Sequence, residues 1–306
     1  MKKNVSVLLT VILVALFAAC SSGGGFKKTK SGLLYKIESD GKGPVAKKGE
    51  FVKIKLEVYY RNKKKADSLL LDTAGAAPIY VTVDSITEPV YHPAEIFVSL
   101  RKGDRAEVIA RGDSLEKKQG ALAPFMKKED ELVYIINVLD VFHDEAAKAN
   151  DQAKSDAFYR QLAEKKQEGQ LKKDQEAIEK YLAEKKITAQ KTGNGSYYNI
   201  TEEGTGPACD SGKVVSVNYT GTGLDGVPFD SNIDPEFQHV GQPFTFQSGV
   251  GGAIPGMLDA IQKFRQGSKG YMYIPSPLAY GPQSQGRVKP NLNMVFYIEV
   301  TEVKDK

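Results

Sequence analysis

A long-offset internal repeat constrains this chain more than any other feature. The segment GLLYKIESDGKGP, beginning at Gly32, is matched by GSYYNITEEGTGP, beginning at Gly195. Tyr35 pairs with Tyr198, Ile37 with Ile200, Gly41 with Gly204, Gly43 with Gly206 and Pro44 with Pro207, each 163 positions apart. The register holds at Gly49 and Gly212 and becomes 164 between Gly103 and Gly267. It is 162 between LVYIINV at Leu132 and MVFYIEV at Met294. So small a drift is what duplication of a domain followed by minor loop changes leaves behind. Two copies of one fold are expected, and 306 residues suffice for two domains with a core each.

The composition changes between the copies. Residues 144–186 are rich in Ala, Glu, Lys and Gln and contain no proline, which favours helix. Apolar positions are sparse: Phe158 and Leu162 are four apart, and Ile178, Tyr181 and Leu182 share a face. Gly169 is expected to interrupt the helix. Such a thin stripe fits a solvated helical linker packed on a neighbour. The alternative use of the same stripe is a homodimer formed through the linker.

Lys2 and Lys3 precede an apolar run, 5–19, that is shorter than the ~20 residues a membrane-spanning helix needs. A basic start, a short apolar stretch and the small residues Ala18 and Ala19 describe an export signal. The segment resembles a bacterial lipoprotein signal, although Phe17 stands where such signals usually carry leucine. The resemblance implies a signal peptide at 1–19, lipidation of Cys20 and a Ser/Gly-rich flexible tether over 20–29. It also implies a lipid-anchored home in the cell envelope. Ser21, where inner-membrane retention would use aspartate, favours the outer membrane facing the periplasm, with the cell surface as the alternative.

Several function classes are excluded by inventory. A net charge of +4, from 42 basic and 38 acidic side chains, supplies no dense basic patch, so nucleic acid is not expected as a partner. Two cysteines and three histidines make neither a disulfide scaffold nor a four-ligand zinc site. Neither metal nor cofactor is expected. A lipidated Cys20 would leave Cys209 without an intramolecular partner.

In the second copy, Val215, Val217 and Tyr219 alternate over 214–220 as a half-buried strand, and Leu224-Asp225-Gly226 has turn chemistry. Phe244 and Phe246 alternate about Thr245. Pro255 opens a short helix with Met257, Leu258, Ile261 and Phe264 as its apolar stripe and Gly267 at its end. Strands over Lys269–Ile274 and 294–300 complete an antiparallel sheet wrapped on one helix, an α+β architecture.

The motifs VNYTGTGLDGVPFDSN, PFTFQSGVGGAIPGM, LAYG and VKPNLNMVFYIEV resemble, in that order, the FKBP-type peptidyl-prolyl cis–trans isomerases. The whole layout resembles two-domain FKBP-type lipoproteins of Gram-negative bacteria. The resemblance implies two FKBP-like domains, over 30–143 and 187–306, joined by the helical linker at 144–186. It implies rotation about X–Pro bonds in unfolded or nascent envelope polypeptides. It places Tyr219, Phe229, Phe244, Ala253, Ile254, Met257, Tyr280, Val288 and Phe296 around the prolyl ring, with Asp230 beside Tyr219 as a polar wall. The Ile254 N–H and the Tyr280 hydroxyl are the implied donors to substrate carbonyls. Tyr219, Asp230, Ile254, Tyr280 and Phe296 would carry catalysis, and Phe229, Phe244, Ala253, Met257 and Val288 would carry binding.

That chemistry suits these residue types. Amide resonance sets a rotation barrier of ~18–20 kcal/mol, and crossing it takes tens of seconds or more unaided. No nucleophile or metal is needed. An apolar pocket strips water from the amide, and a few placed donors favour the less dipolar, twisted form. Phe246, Phe264 and Tyr273 are expected to be plain core. Many family members carry Trp on the pocket floor; this chain has none, and Met257 takes that place. The 231–242 stretch is longer than usual and is placed to cover the rim or to recruit clients.

The first copy keeps the frame and loses the pocket. Leu56 stands for Tyr219 and Ile79 for Phe244, while Leu71-Asp72-Thr73 echoes Phe229-Asp230-Ser231, so the aspartate is expected to survive as Asp72. Ala110-Arg111-Gly112-Asp113 takes the place of the Ala279-Tyr280-Gly281 turn without its tyrosine. This copy is expected to be inactive. A rival of another class is a non-catalytic envelope chaperone or assembly lipoprotein that holds clients in the same grooves.

Overall fold

The computed structural model describes residues 25–64, 66–84, 90–120, 122–237 and 239–306. The 1–19 signal segment and the lipidation site Cys20 lie outside the described residues. The chain divides into two units between Tyr159 and Arg160.

The first unit runs β1 (Lys27–Lys28), β2 (Leu34–Glu38), β3 (Phe51–Arg61), β4 (Asp67–Asp72) and β5 (Ile79–Thr82). A 3₁₀ segment (Pro93–Ser99), β6 (Arg105–Arg111), helix α1 (Gly112–Gln119) and β7 (Glu131–Phe142) follow. Helix α2 (Glu145–Lys185) leads into the second unit: β8 (Gln190–Lys191), β9 (Tyr197–Glu202), β10 (Val214–Gly223), β11 (Pro228–Ser231) and β12 (Phe244–Gln247). Helix α3 (Pro255–Ala260), β13 (Lys269–Ile274) and β14 (Met294–Lys304) complete it.

Each unit builds an antiparallel seven-stranded sheet, and the strand orders coincide. The first reads β1-β2-β6-β7-β3-β4 with β5 on β3; the second reads β8-β9-β13-β14-β10-β11 with β12 on β10. Registers coincide as well. Leu56 faces Ile136 as Tyr219 faces Ile298, and Ile54 faces Ile79 as Val217 faces Phe244. Two bulges recur at the same 163-residue offset. One falls between Lys53 and Ile54 and again between Ser216 and Val217; the other falls after Val58 and after Gly221. A bulge re-aims every side chain beyond it, so sharing both means sharing the whole pleat. The α+β reading with two like domains holds.

The register also corrects two first-copy expectations. Val58 pairs with Leu71 where Gly221 pairs with Asp230, and Thr73 bonds Leu56 as Asn232 bonds Tyr219. Leu71, not Asp72, therefore occupies the place of Asp230, and the wall aspartate is lost. Arg105 and Lys269 are equivalent starts of β6 and β13, which makes Ala110 and Arg111 equivalent to Ile274 and Pro275. The first-unit counterpart of the tyrosine turn therefore lies beyond Asp113, within α1, and not at the Ala110–Asp113 stretch.

In the second unit, Val215, Val217 and Tyr219 point from β10 into a core with Phe246, Met257, Ile261, Phe264 and Ile298. Phe246, Phe264 and Tyr273 are buried, as expected of plain core. Helix α3 ends at Ala260 and continues as a 3₁₀ turn to Lys263. Gly267 does not cap it: with φ +89° it shapes the turn entering β13, its N–H donating to Val300 O at 2.8 Å. The opposite face of the sheet is covered by α2, whose Ile178 and Leu182 pack on Tyr197, Tyr273 and Val295.

Gly169 does not break α2, which is continuous over 41 residues, ~62 Å at 1.5 Å per residue. One glycine costs about 1 kcal/mol relative to alanine, less than the flanking helix formers and two anchors supply. In the first unit, Asp151 accepts from Lys53 Nζ at 2.7 Å and from the Tyr80 hydroxyl at 2.5 Å. In the second, Asp174 accepts from the Ser276 N–H at 2.9 Å and the Ser276 hydroxyl at 2.5 Å.

Candidate active site

Strand β10 places Tyr219, and β11 runs beside it so that Gly221 faces Asp230. The Tyr219 hydroxyl donates to Asp230 Oδ2 at 2.6 Å. Around this pair stand the rings of Phe244 at 5.8 Å and Phe296 at 6.2 Å from Tyr219, with Phe229 edge-on to Phe296 at 5.6 Å. Edge-to-face packing of this kind fixes ring orientation more firmly than area burial alone. Gly221 is required beneath them, because a β-carbon there would lie 2.7 Å from Phe229 and 2.8 Å from Phe296.

These residues enclose a cavity of about 560 Å³ lined by Tyr219, Phe229, Asp230, Phe244, Gly252, Ala253, Ile254, Pro255, Met257, Tyr280 and Phe296. That volume is typical of a small-ligand pocket. Met257, 3% exposed, forms the floor from α3. Ile254 caps α3 with extended φ and ψ, and among the described residues its N–H donates to no acceptor. The Tyr280 hydroxyl is likewise without a hydrogen-bond partner among the described residues, and the residue is 36% exposed at the rim.

The electrostatics keep the donors neutral. Burial, then the hydrogen bond to Asp230, pushes the Tyr219 phenol well above the ordinary tyrosine range. Burial, then the charge of Asp230, pushes Tyr280 up as well. Both carry their protons at neutral pH, in a setting where a placed donor acts with little screening.

Nine of the ten expected site residues, Asp230 among them, line the cavity; Val288 does not. It is 7% exposed in the core behind, where Gln285 and Val288 exchange backbone hydrogen bonds that close the 282–291 loop. Two cavity residues were not anticipated, Gly252 and Pro255; the latter was visible only as a helix opener. A third neighbour is His239, from the lengthened 231–242 stretch, whose Nε2 lies 2.9 Å from Asp230 Oδ1. A carboxylate only accepts, so Nε2 donates. Arg287 lies over the Phe237 ring at 5.0 Å, tying the same stretch to the 282–291 loop.

In the first unit, Tyr134 takes the place of Phe296, and with Pro93 it lines a cavity of only about 230 Å³. Neither Leu56 nor Leu71 lines it.

The site is an aromatic cleft with one paired carboxylate, set on an antiparallel sheet wrapped over a short helix. Residues 206–301 match the family described as FKBP-type peptidyl-prolyl cis-trans isomerase. The relative named FKBP-type peptidyl-prolyl cis-trans isomerase FkpA of Aeromonas hydrophila is 32% identical over 184 residues, which cover 58% of this chain and 66% of the relative. Its namesake in Escherichia coli (strain K12) is 31% identical over 228 residues, 69% of this chain and 80% of the relative. Outer membrane protein MIP of Legionella longbeachae is 39% identical over 112 residues, 36% of this chain and 45% of the relative. The chain thus spans a little under two thirds of the first relative and under half of the last. It belongs to the FKBP-type peptidyl-prolyl cis–trans isomerase family, a family of enzymes.

Proposed function

We propose that this protein accelerates cis–trans rotation of X–Pro bonds in unfolded or nascent polypeptides, and that the second unit alone does so. The observation that carries the reading is the Tyr219–Asp230 pair set inside the aromatic cleft. The prolyl ring enters between Tyr219, Phe244 and Phe296 with Met257 beneath it, and water leaves the amide. The planar ground state, being more dipolar, loses more by that desolvation than the twisted form does. The Ile254 N–H and the Tyr280 hydroxyl donate to substrate carbonyls, and Asp230 holds Tyr219 in place. No bond is made or broken to the protein. The first unit, with Leu56, Leu71 and Ile79 in the places of Tyr219, Asp230 and Phe244, contributes no catalysis.

The protein's place of work is the bacterial envelope, reached through the signal-like 1–19 segment and held by a lipid on Cys20. The match to a relative named as an outer membrane protein supports this reading. Incorporation of an alkyne fatty acid in cells, abolished by Cys20→Ala, tests it; labelling that survives the substitution would remove the anchor.

One observation favours the rival reading of client holding. The first unit's edge strand β4 exposes Leu69, Leu70 and Leu71 at 54%, 48% and 44%. An apolar open edge is a template for pairing with an extended chain. Two clients separate the readings: one whose refolding is limited by proline isomerisation, and one without proline that aggregates. An isomerase speeds only the first and stops doing so when Tyr219 and Asp230 are changed. A holding chaperone protects the second and is indifferent to those changes.

A further inference from the structure

A second cavity, of about 820 Å³, lies beside the cleft within the second unit. One wall is the part of α2 that carries Lys165, Lys166 and Lys173; the other is the turn that carries Pro277, Tyr280 and Pro282. Tyr280 lines both cavities, so the two share a wall.

The charge on this groove is one-sided. Three lysines line it and no carboxylate does. Among the described residues these three make no ion pair, whereas Lys180 and Lys191 elsewhere in the unit pair with Glu184 and Glu179. Gly169 belongs to the same wall, and a β-carbon built on it meets nothing within 4 Å. A helix-interior glycine is unfavourable relative to alanine, and no close contact demands this one. What it leaves is open space in the groove. The two walls are fixed to each other by the buried Asp174 carboxylate, which accepts from both the N–H and the hydroxyl of Ser276.

We propose that this groove is a second subsite for the polypeptide whose X–Pro bond occupies the cleft, and that it selects stretches carrying Asp or Glu. The proposal rests on the reading of the cleft as a prolyl-peptide site. Continuity argues for the same chain: at ~3.3 Å per residue, a peptide leaving the cleft past Tyr280 enters the groove within a few residues. Charge argues for acidic side chains, because the lysines are unpaired and stand in a concave wall that concentrates their field. A nucleic-acid strand would also meet lysines, but the groove's one aromatic ring is already the rim of the cleft, and a net charge of +4 gives no wider basic track.

The test is binding of fluorescein-labelled proline peptides of equal length, carrying Glu, Gln or Lys within about five residues of the proline. Each is titrated at low ionic strength into the full chain and into K165E/K166E/K173E. The wild type is expected to hold the Glu peptide about tenfold more tightly than the Lys peptide, with parity approached near ~0.5 M salt. The charge-reversed variant is expected to invert that order, which a misfolded protein would not do. K172E/K185E changes charge on the same helix away from the groove and is expected to keep the wild-type order. Equal affinity for the three peptides in the wild type, or an unchanged order in the reversed variant, overturns the proposal. Isomerisation of the same peptides separates the two readings. An inverted order without acceleration keeps the groove and removes the isomerase; acceleration with no charge preference does the opposite.

Discussion

Asp230 joins three elements at one carboxylate: Tyr219 of β10 donates to its Oδ2 at 2.6 Å, while His239 of the 231–242 stretch meets its Oδ1 at 2.9 Å. The wall of the cleft is thereby a hydrogen-bonded unit, not a set of independent side chains. Tyr219→Phe removes one donor and keeps the ring. Loss of that bond is expected to lower kcat/KM about three- to tenfold, the range of one partly buried hydrogen bond of ~1 kcal/mol. Asp230→Leu also frees the Tyr219 hydroxyl and is expected to cost more, about tenfold or above. Peptide isomerisation kinetics beside urea unfolding would check both; equal losses of activity and of stability would mean that the pair is merely structural.

The tyrosines of the second unit give a pH signature. Burial pushes up the phenols of Tyr197, Tyr219, Tyr273 and Tyr297, aided by Glu179, Asp230 and Glu299 at three of them, with Tyr297 at about 12. A folded-state pKa above the unfolded value of about 10 means that the native state holds its proton more tightly. The stability contributed is complete below about pH 10 and is lost as pH rises through the folded values. Because the chain has 15 tyrosines and no tryptophan, absorbance of the tyrosinate reports this directly. A fraction of the tyrosines is expected to stay protonated past pH 11 and to titrate only on unfolding. A single smooth titration centred near pH 10 would contradict the burial described.

Asp174 predicts a link between helix α2 and activity. Its carboxylate, 4% exposed, accepts from the Ser276 N–H, the Ser276 hydroxyl and Gln170 Nε2 at 2.9, 2.5 and 2.7 Å. Asp174→Ala takes the acceptor from the buried Ser276 hydroxyl and leaves the Ser276 N–H only Asn293 Oδ1 at 3.2 Å, a loss that typically costs ~1–3 kcal/mol. The turn that presents Tyr280 starts at Ser276, so KM for a proline peptide is expected to rise together with the loss of stability. Asp174→Asn keeps one acceptor oxygen and is expected to recover part of both. Unchanged KM in a destabilised Asp174→Ala would show that the anchor does not position Tyr280.

Much of this was legible in the sequence, for reasons that are physical. Strand alternation at Val215, Val217 and Tyr219 and the turn glycines of both copies are set by local backbone needs, so the duplication and the α+β class could be read directly. The aromatic wall was legible because its motifs travel together. Bulges leave no mark in the letters, and the one after Val58 is why Asp72, adjacent in sequence, is not the counterpart of Asp230. Val288 was misplaced for a related reason: a loop residue and a wall residue are both apolar, and only the Gln285–Val288 bridge decides which it is. Gly169 failed as a breaker because anchors on either side of it, at Asp151 and Asp174, act through tertiary contacts no local rule contains. His239 carried one signal, the unusual length of the stretch around it.

The most direct measurement is the rate of cis–trans exchange in a short X–Pro peptide, followed by NMR with the purified chain and with its Asp230→Leu/Tyr280→Phe variant. Catalysis in the cleft of the second unit requires that the wild type accelerate exchange and that the folded variant lose most of that acceleration. Acceleration that survives in the variant, or its absence from a well-folded wild type, would contradict it.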